Sequence, residues 1–362
     1  MKKHIVIYIS ALRRGGAERV VINLSEYLIQ KGFHVSIVTQ YMFQDEYQLP
    51  EGVKRVISDI QDPGKSRVIN FIKRYQKLRR IYISLKPDCI LSFIGKNNFM
   101  TILATVFTKI PVISAICGEP KNEYDSILMR LLAKTLFLYT KGIIVPTMDA
   151  IGFFPFYLKH KVKVLANPLD DSFLRPRYEG VRDRRIVSVG RLDCNKNHSM
   201  IFKAFSKISN RFPEVRLVIY GEGEERSNLI LLADKLGISD KVSLPGAVMD
   251  VADCVYTSSM FVLASYYEGG GPNVLTEAMC LGIPCISTDC PSGGPRSQII
   301  NNINGFLIPV GDVEMLVEKM TILLNDEEKA EEISRNAHKM QDKYSENKIN
   351  KSWVEYLTAK MI

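Results

Sequence analysis

Residues 4–40 read HIVIYISALRRGGAERVVINLSEYLIQKGFHVSIVTQ, and this stretch decides the fold. Ile5 to Ser10 is a short apolar run of the kind that forms a buried strand. Beyond the glycine pair Gly15–Gly16, Val20, Val21, Leu24, Tyr27 and Leu28 recur at helical spacing. Gly32 stands where a helix C-terminal cap belongs, and FHVSIVTQ returns to strand. Strand, glycine turn, helix and strand together open a doubly wound parallel sheet. The alternation continues through DCILSFI, PVISAI and KGIIVPT.

Around residue 167 it breaks. ANPLDDSFLRPRYEGVRDRR is polar, holds two prolines and has no period, so an interdomain linker is expected there. A second series follows in RIVSVGRL, VRLVIYGEG, KVSLPG, MFVLAS and PCISTD. The 362 residues exceed one typical core. The expected domains are 1–167, Rossmann-like; 168–345, also Rossmann-like; and a C-terminal helix over 346–362 that packs back on the first. Two such domains leave a cleft between them, and ligands bind at the carboxyl ends of the strands that face it.

Composition narrows the class. The seven cysteines contain no C-x-x-C pair, and no histidine lies near Cys280, Cys285 and Cys290, so reduced buried thiols are expected. Residues 1–167 hold 25 Lys and Arg against 12 Asp and Glu, while the remainder is net acidic. The excess points the first half toward an anionic partner. No nucleic-acid motif is present, so none is expected as partner. The apolar run at the N-terminus is too short for a signal peptide. The longest apolar candidate, 89–117, is broken by Lys96, Asn97, Asn98 and Lys109 well short of the ~20 residues a membrane span needs.

Three glycine turns of the second half can carry chemistry. In SVGRLDCNKNH, Gly190 permits a tight turn, and Arg191 and Lys196 set two cations at a strand end. A diphosphate leaving group calls for such compensation. In YYEGGGPNVLTEAMC, Pro272 is expected as the first residue of a helix with Gly271 as its cap. The helix-start amides are then open to an anion, with Gly270, Gly271, Asn273 and Val274 around them. Glu277, one face down the helix, and Glu268, in the loop before it, are placed for hydroxyls. In CPSGGPR, Gly293 and Gly294 are expected to form a backbone nest. In the first half, Gly15 and Gly16 open a helix, and Glu119 follows the strand PVISAI. There is no D-x-D pair and no H-E-x-x-H, so no metal is expected.

These motifs resemble the family 4 retaining glycosyltransferases. The resemblance runs through GGAERV, LANP, VGRLDCNKNH, VIYGEGEE, SYYEGGGPNVLTEAMCLGIPCISTDCPSGGPR and NGFLIPVGD, which span most of the chain. It implies an α/β protein of the GT-B fold, two facing Rossmann-like domains with an interdomain cleft. It implies that the first domain binds the acceptor and the second a nucleotide-diphosphate sugar, taken here as UDP-linked. Arg191 and Lys196 then hold the diphosphate, Glu268 the transferred sugar and Glu277 the ribose. Gly16 approaches the diphosphate, and Gly15 and Glu119 lie on the acceptor side. No cofactor is implied, and the cations stand in for a metal. The family usually places seven residues between the two glutamates, whereas eight stand here, the surplus a glycine. Either the loop bulges and Glu268 keeps its place, or Glu268 shifts.

The acceptor such bacterial enzymes use in making surface polysaccharide, lipopolysaccharide or capsule is a saccharide, often lipid-linked. Residues 66–85, SRVINFIKRYQKLRRIYISL, form a basic amphipathic helix, with Val68, Phe71, Ile72, Tyr75, Leu78, Tyr82 and Leu85 on one stripe. ILMRLLAKTLFLYTKG is a second basic, apolar stretch. Such helices suit an anionic membrane surface. They can equally bury the stripe on the sheet and leave the charges solvated. The expected location is cytoplasmic, peripheral on the inner face of the membrane. Two rivals share the fold class: a UDP-sugar 2-epimerase, disfavoured by the scarcity of histidine, and a catalytically silent sugar-binding protein.

Overall fold

The opening segment pairs β1 (His4–Ile9) with β2 (His34–Thr39) in parallel register, His4 opposite His34 through Ile9 opposite Thr39. The helix Gly16–Gln30 crosses between them. Gly32, at φ +84°, ends that crossing, a conformation that suits glycine because it lacks a Cβ. The computed structural model describes residues 2–13, 15–60, 66–291, 293–344 and 348–361. It divides into two compact units, Met1–Pro168 with Asn347–Ile362, and Leu169–Glu346. The boundary expected between 345 and 346 lies outside the described residues.

The first unit adds β3 (Lys54–Ile57), β4 (Cys89–Phe93), β5 (Val112–Ala115), β6 (Gly142–Val145) and β7 (Val162–Val164). Their order is β3-β2-β1-β4-β5-β6-β7, every pair parallel. Ile5, Ile7 and Ile9 face one apolar layer, while Val6 and Tyr8 face the other. Burial on both faces is why β1 reads as a continuous apolar run instead of alternating. The first layer takes Val20, Val21, Leu24 and Leu28, together with Trp353 and Leu357 from the helix Lys348–Lys360. Trp353 donates its indole N–H to the Ala166 carbonyl at 2.8 Å and stacks on Phe93.

The basic helix spans Arg67–Leu85, with the Ser66 hydroxyl capping the amide of Ile69. Its apolar stripe divides. Leu78 and Tyr82 are buried against the sheet, with Tyr75 and Leu85 packed beside them, whereas Val68, Phe71 and Ile72 are exposed. The helix Ile127–Leu136 behaves similarly: Ala133 is buried, and Ile127, Leu128 and Leu131 are exposed. No helix among the described residues is long and apolar enough to cross a membrane.

The second unit contains β8 (Asp183–Val189), β9 (Arg216–Tyr220), β10 (Val242–Gly246), β11 (Ser258–Leu263), β12 (Cys285–Thr288) and β13 (Phe306–Ile308). They run parallel in the order β10-β9-β8-β11-β12-β13. The order reverses between β1 and β4 in the first sheet and between β8 and β11 in the second. Such switch points open crevices at the strands' carboxyl ends.

The linker expected over 166–185 is largely built into the second unit. Leu169 and Phe173, four residues apart, are buried in one of its apolar layers. Arg175 pairs with Asp253, Arg177 with Glu331, and Arg182 donates to the carbonyls of Tyr256, Ser258 and Gly282. A polar, aperiodic segment is thus fastened by two apolar anchors and three guanidinium groups. The cysteines are unbridged, and burial pushes the Cys280 and Cys290 thiols up to about 12.

Trp353→Ala should remove about 3–5 kcal/mol from the stability of the first unit, through the lost indole packing and the cavity left behind. Urea unfolding followed by circular dichroism checks this. A transition unchanged in midpoint would show that the C-terminal helix contributes nothing to that core.

Candidate functional site

The turn after β8 and the loop after β11 flank the second switch point, and one side chain joins them. Asn195 accepts from the Tyr267 amide at 3.2 Å through Oδ1 and donates to the Tyr267 carbonyl at 3.0 Å through Nδ2, while its own carbonyl takes the amide of Tyr266. Nothing in the sequence marked Asn195 beyond its place in CNKNH. The junction carries Lys196 to Glu268, Nζ to Oε1 at 2.5 Å. The same carboxylate oxygen accepts from the Ser265 hydroxyl at 2.5 Å, and Thr288 holds the Ser265 carbonyl. Glu268 is 8% exposed. The eight-residue spacing therefore leaves Glu268 beside Lys196.

Arg191 points elsewhere. Its side chain is 74% exposed and pairs with Asp193 at 3.1 Å, while Asp193 caps the amide of Lys196. Gly190 carries the Lys196 stem, whose methylenes lie 3.5 Å from where a Cβ would stand.

The glycines of GEGEE, which form no dinucleotide fingerprint, have a steric role. A Cβ on Gly221 would stand 1.9 Å from the Gly190 carbonyl oxygen, and one on Gly223 would stand 2.2 Å from that of Leu192. Backbone meets backbone there, and Leu192 exchanges hydrogen bonds with Glu222 and Glu225. The signal was in the sequence as two glycines one residue apart after a strand.

Two expectations about the glutamate loop change. The helix is Asn273–Cys280 and Pro272 is its N-cap, not its first residue. Its ψ of 120° is extended, and its carbonyl accepts from Leu275 and Thr276. Gly271 therefore lies outside the cap. The amides of Asn273 and Val274 head the helix, where no carbonyl of the same helix can reach them. At Gly293–Gly294, where a nest is expected, the backbone also packs closely. The Gly293 amide turns to the Cys290 carbonyl, and a Cβ on Gly294 would stand 1.8 Å from the Gly270 oxygen. Ser292 lies outside the described residues.

Glu277 is 2% exposed, inside the helix and close to Cys280 and Tyr344, whose pKa values it helps to raise. Neither glutamate is a solvated surface carboxylate. Burying such a group costs several kcal/mol unless it is compensated, so this placement needs a reason.

His198, which no motif singled out, is buried at the start of the helix His198–Ile208. Its Nε2 lies 3.2 Å from the Arg191 carbonyl. A carbonyl only accepts, so Nε2 carries the proton. Nδ1 has no hydrogen-bond partner among the described residues. Desolvation foremost, with Lys196 nearby, lowers the imidazole pKa to about 4.

In the first unit, Gly15 caps the helix Gly16–Gln30 with extended backbone, and the Glu18 carboxylate lies over it. Arg14 lies outside the described residues. Glu119 stands at the N-cap of the short helix Pro120–Glu123 with no side-chain bond to a capped amide, and its carboxylate accepts from the Asn122 side chain at 3.1 Å. The inward carboxylate is Glu123, which the sequence reading passed over. It accepts from the amides of Cys117, Gly118 and Gly95. Among the described residues no three His, Cys, Asp or Glu side chains converge as metal ligands.

Two family models match the chain. One, described as Glycosyltransferase Family 4, covers residues 14–173, and the other, Glycosyl transferases group 1, covers 175–340. The chain belongs to the family 4 glycosyltransferases. An alpha-1,4-N-acetyl-D-galactosaminyltransferase of Campylobacter jejuni, named for a PP-undecaprenol-linked acceptor, is 27% identical over 369 residues, 98% of each chain. An uncharacterized glycosyltransferase of Haemophilus influenzae is 28% identical over 94% of this chain and 95% of its own. Among solved structures, Anabaena HepE in complex with UDP and glucose covers 99% of this chain and 100% of its own, with a TM-score of 0.83 at 17% identity. Sucrose-phosphate synthase of Thermosynechococcus elongatus gives 0.82 at 16%, covering 98% of each. The family 4 chain therefore has the GT-B fold.

The depressed His198 pKa sets a pH dependence. An unfolded histidine takes up a proton near 6.5, whereas the folded one refuses it until about 4. The stability it contributes is complete above 6.5 and is lost as pH falls toward 4, at no more than ~1.4 kcal/mol per pH unit. His198→Gln should flatten that acid limb in denaturation curves taken between pH 7 and 4. An identical limb in both proteins would mean that His198 is not held neutral.

Proposed function

We propose that this glycosyltransferase is retaining and metal-independent, and that it moves a sugar from UDP to a lipid-linked saccharide during cell-surface polysaccharide biosynthesis. The observation that carries the proposal is the burial of Glu268, in the glycine loop after β11, and of Glu277, in the helix that loop leads into, with Lys196 paired to the first. A solvated loop would leave both carboxylates in water. The donor class is supported by HepE, which shares the fold and binds UDP, glucose and UDP-glucose. The acceptor class is supported by two Campylobacter jejuni relatives named for undecaprenol-diphosphate-linked saccharides.

In this proposal Lys196 and Arg191 offset the charge that grows on the diphosphate as its bond to the anomeric carbon breaks. The acceptor hydroxyl adds from the face the phosphate leaves, and the leaving phosphate oxygen takes its proton. The Lys196 stem lies against Gly190. The amides of Asn273 and Val274, with Gly270 and Gly271 before them, receive the donor's anionic end. Glu277 takes ribose hydroxyls and Glu268 the sugar. Gly16 is assigned to the diphosphate, and Gly15 and Glu119 to the acceptor. Lys196 keeps a carboxylate partner until the diphosphate supplies a second one.

Membrane contact belongs to the same proposal. Val68, Phe71 and Ile72 stand exposed beside Arg67 and Lys73, and Ile127, Leu128 and Leu131 stand exposed near Arg130 and Lys134. Exposed apolar groups interleaved with cations fit an anionic bilayer on the cytoplasmic side.

UDP should raise the unfolding midpoint more than ADP, CDP or GDP, by about 2.7 kcal/mol of stabilisation at a hundredfold excess over Kd. Transfer of radiolabelled sugar to a lipid-linked acceptor should fall on the order of a hundredfold in Lys196→Ala and in Glu277→Ala. Full activity in either variant would overturn the site assignment. Free epimerised sugar would instead identify an epimerase, and UDP binding without turnover a silent binding protein. Sedimentation with anionic vesicles should drop when Phe71 and Leu131 are both changed to Ser. Equal sedimentation of the two proteins would remove the membrane contact.

A further inference from the structure

The first sheet has its own switch point, between β1 and β4. The turn after β4 is strained. Ile94 sits at φ +71°, ψ +120°, a region that β-branched residues avoid. Such a conformation persists only where its surroundings over-determine it, and it gathers at functional sites.

Glu123 supplies that determination. Its Oε2 accepts from the Gly95 amide at 2.8 Å, next to the strained residue, and its Oε1 accepts from the amides of Cys117 at 2.9 Å and Gly118 at 2.5 Å. One carboxylate therefore closes the turn after β4 onto the turn after β5. A Cβ on Gly118 would stand 2.9 Å from that Oε1, so glycine there makes room for the carboxylate. Asn97, in the helix that Gly95 opens, donates to the Ser10 hydroxyl and to the Phe93 carbonyl, both at 2.9 Å, which ties in the end of β1. Burial raises the Glu123 pKa, and the three amides pull against it.

We propose that Glu123 is a positioning residue for the acceptor. It touches no substrate and holds the Ile94–Gly95 and Cys117–Gly118 turns in the shape against which the acceptor binds. This rests on the acceptor lying on the first unit, as proposed above. Glutamine cannot replace it: a carboxamide has one accepting oxygen, and its NH2 would face a backbone donor.

The test uses the full chain as Glu123→Gln, with Gly118→Ala as a second variant that crowds the carboxylate without changing charge. Hydrogen exchange of peptides covering 93–98 and 116–120 should quicken in both. The KM for a lipid-linked saccharide acceptor should rise about tenfold, as displacement of a positioning group implies, while UDP affinity stays within twofold. Quickened exchange with unchanged acceptor KM would make Glu123 purely structural and overturn the proposal, as would unaltered exchange. An equal loss of UDP affinity would do so as well, because the effect would then be global. A wild-type protein that glycosylates no lipid-linked saccharide would sink the acceptor reading alone, with the exchange measurement still deciding whether Glu123 holds the two turns.

Discussion

In the second unit, the turns at the carboxyl ends of the strands lie so close that side chains do not fit between them. The Gly190 carbonyl occupies the space a Cβ of Gly221 would need, and the Gly270 carbonyl the space a Cβ of Gly294 would need. Glycine is entropically costly to order, yet here it lets backbone press on backbone. That contact sets the β8 turn against GEGEE and the glutamate loop against the turn after β12. Gly271 is crowded by a side chain instead, the Gln298 amide lying where its Cβ would stand.

Charge is the second consequence. Lys196 and Glu268 meet where water is scarce, 15% and 9% exposed in their side chains. A buried ion pair contributes little net stability, because both desolvation penalties oppose its Coulomb energy. Removing one partner alone is far more damaging. The pair is therefore poorly explained as a stabilising device, which supports the ligand-binding role proposed for it. Its geometry depends on Asn195, whose amide keeps the two turns in register, and on Ser265, which fixes the carboxylate from the opposite side.

Periodicity and glycine punctuation made both sheets legible, because parallel strands buried on two faces read as plain apolar runs. The motifs VGRLDCNKNH and SYYEGGGPNVLTEAMC also lie beside the second sheet's switch point, where Lys196 and Glu268 meet. What escaped had physical reasons. The segment 166–185 reads as a linker because only Leu169 and Phe173 anchor it in the apolar layer, and the rest is fastened by guanidinium bonds to distant carboxylates and carbonyls that no pattern encodes. Pro272 shifted by one position because proline suits either end of a helix's first turn, and only ψ distinguishes them. The stripe on 67–85 has one period but two fates, since a helix longer than the sheet edge it crosses leaves its first turns unpacked. Glu123 was invisible because its partners are backbone amides, which every sequence possesses.

Glu123 in the first unit and Glu268 in the second are held by different chemistry. Glu123 takes three main-chain N–H groups. Main-chain donors cannot swing away without moving the turns themselves, so this carboxylate is suited to fixing shape. Glu268 takes an ammonium group at the end of a four-carbon stem and a hydroxyl that rotates. Both can reorient within their rotamers at little cost. The Lys196 and Ser265 groups on Glu268 can therefore reorient while the loop stays still. Rigid backbone partners at Glu123 suit the positioning role proposed for it, and reorientable partners at Glu268 suit the ligand-binding role proposed for it.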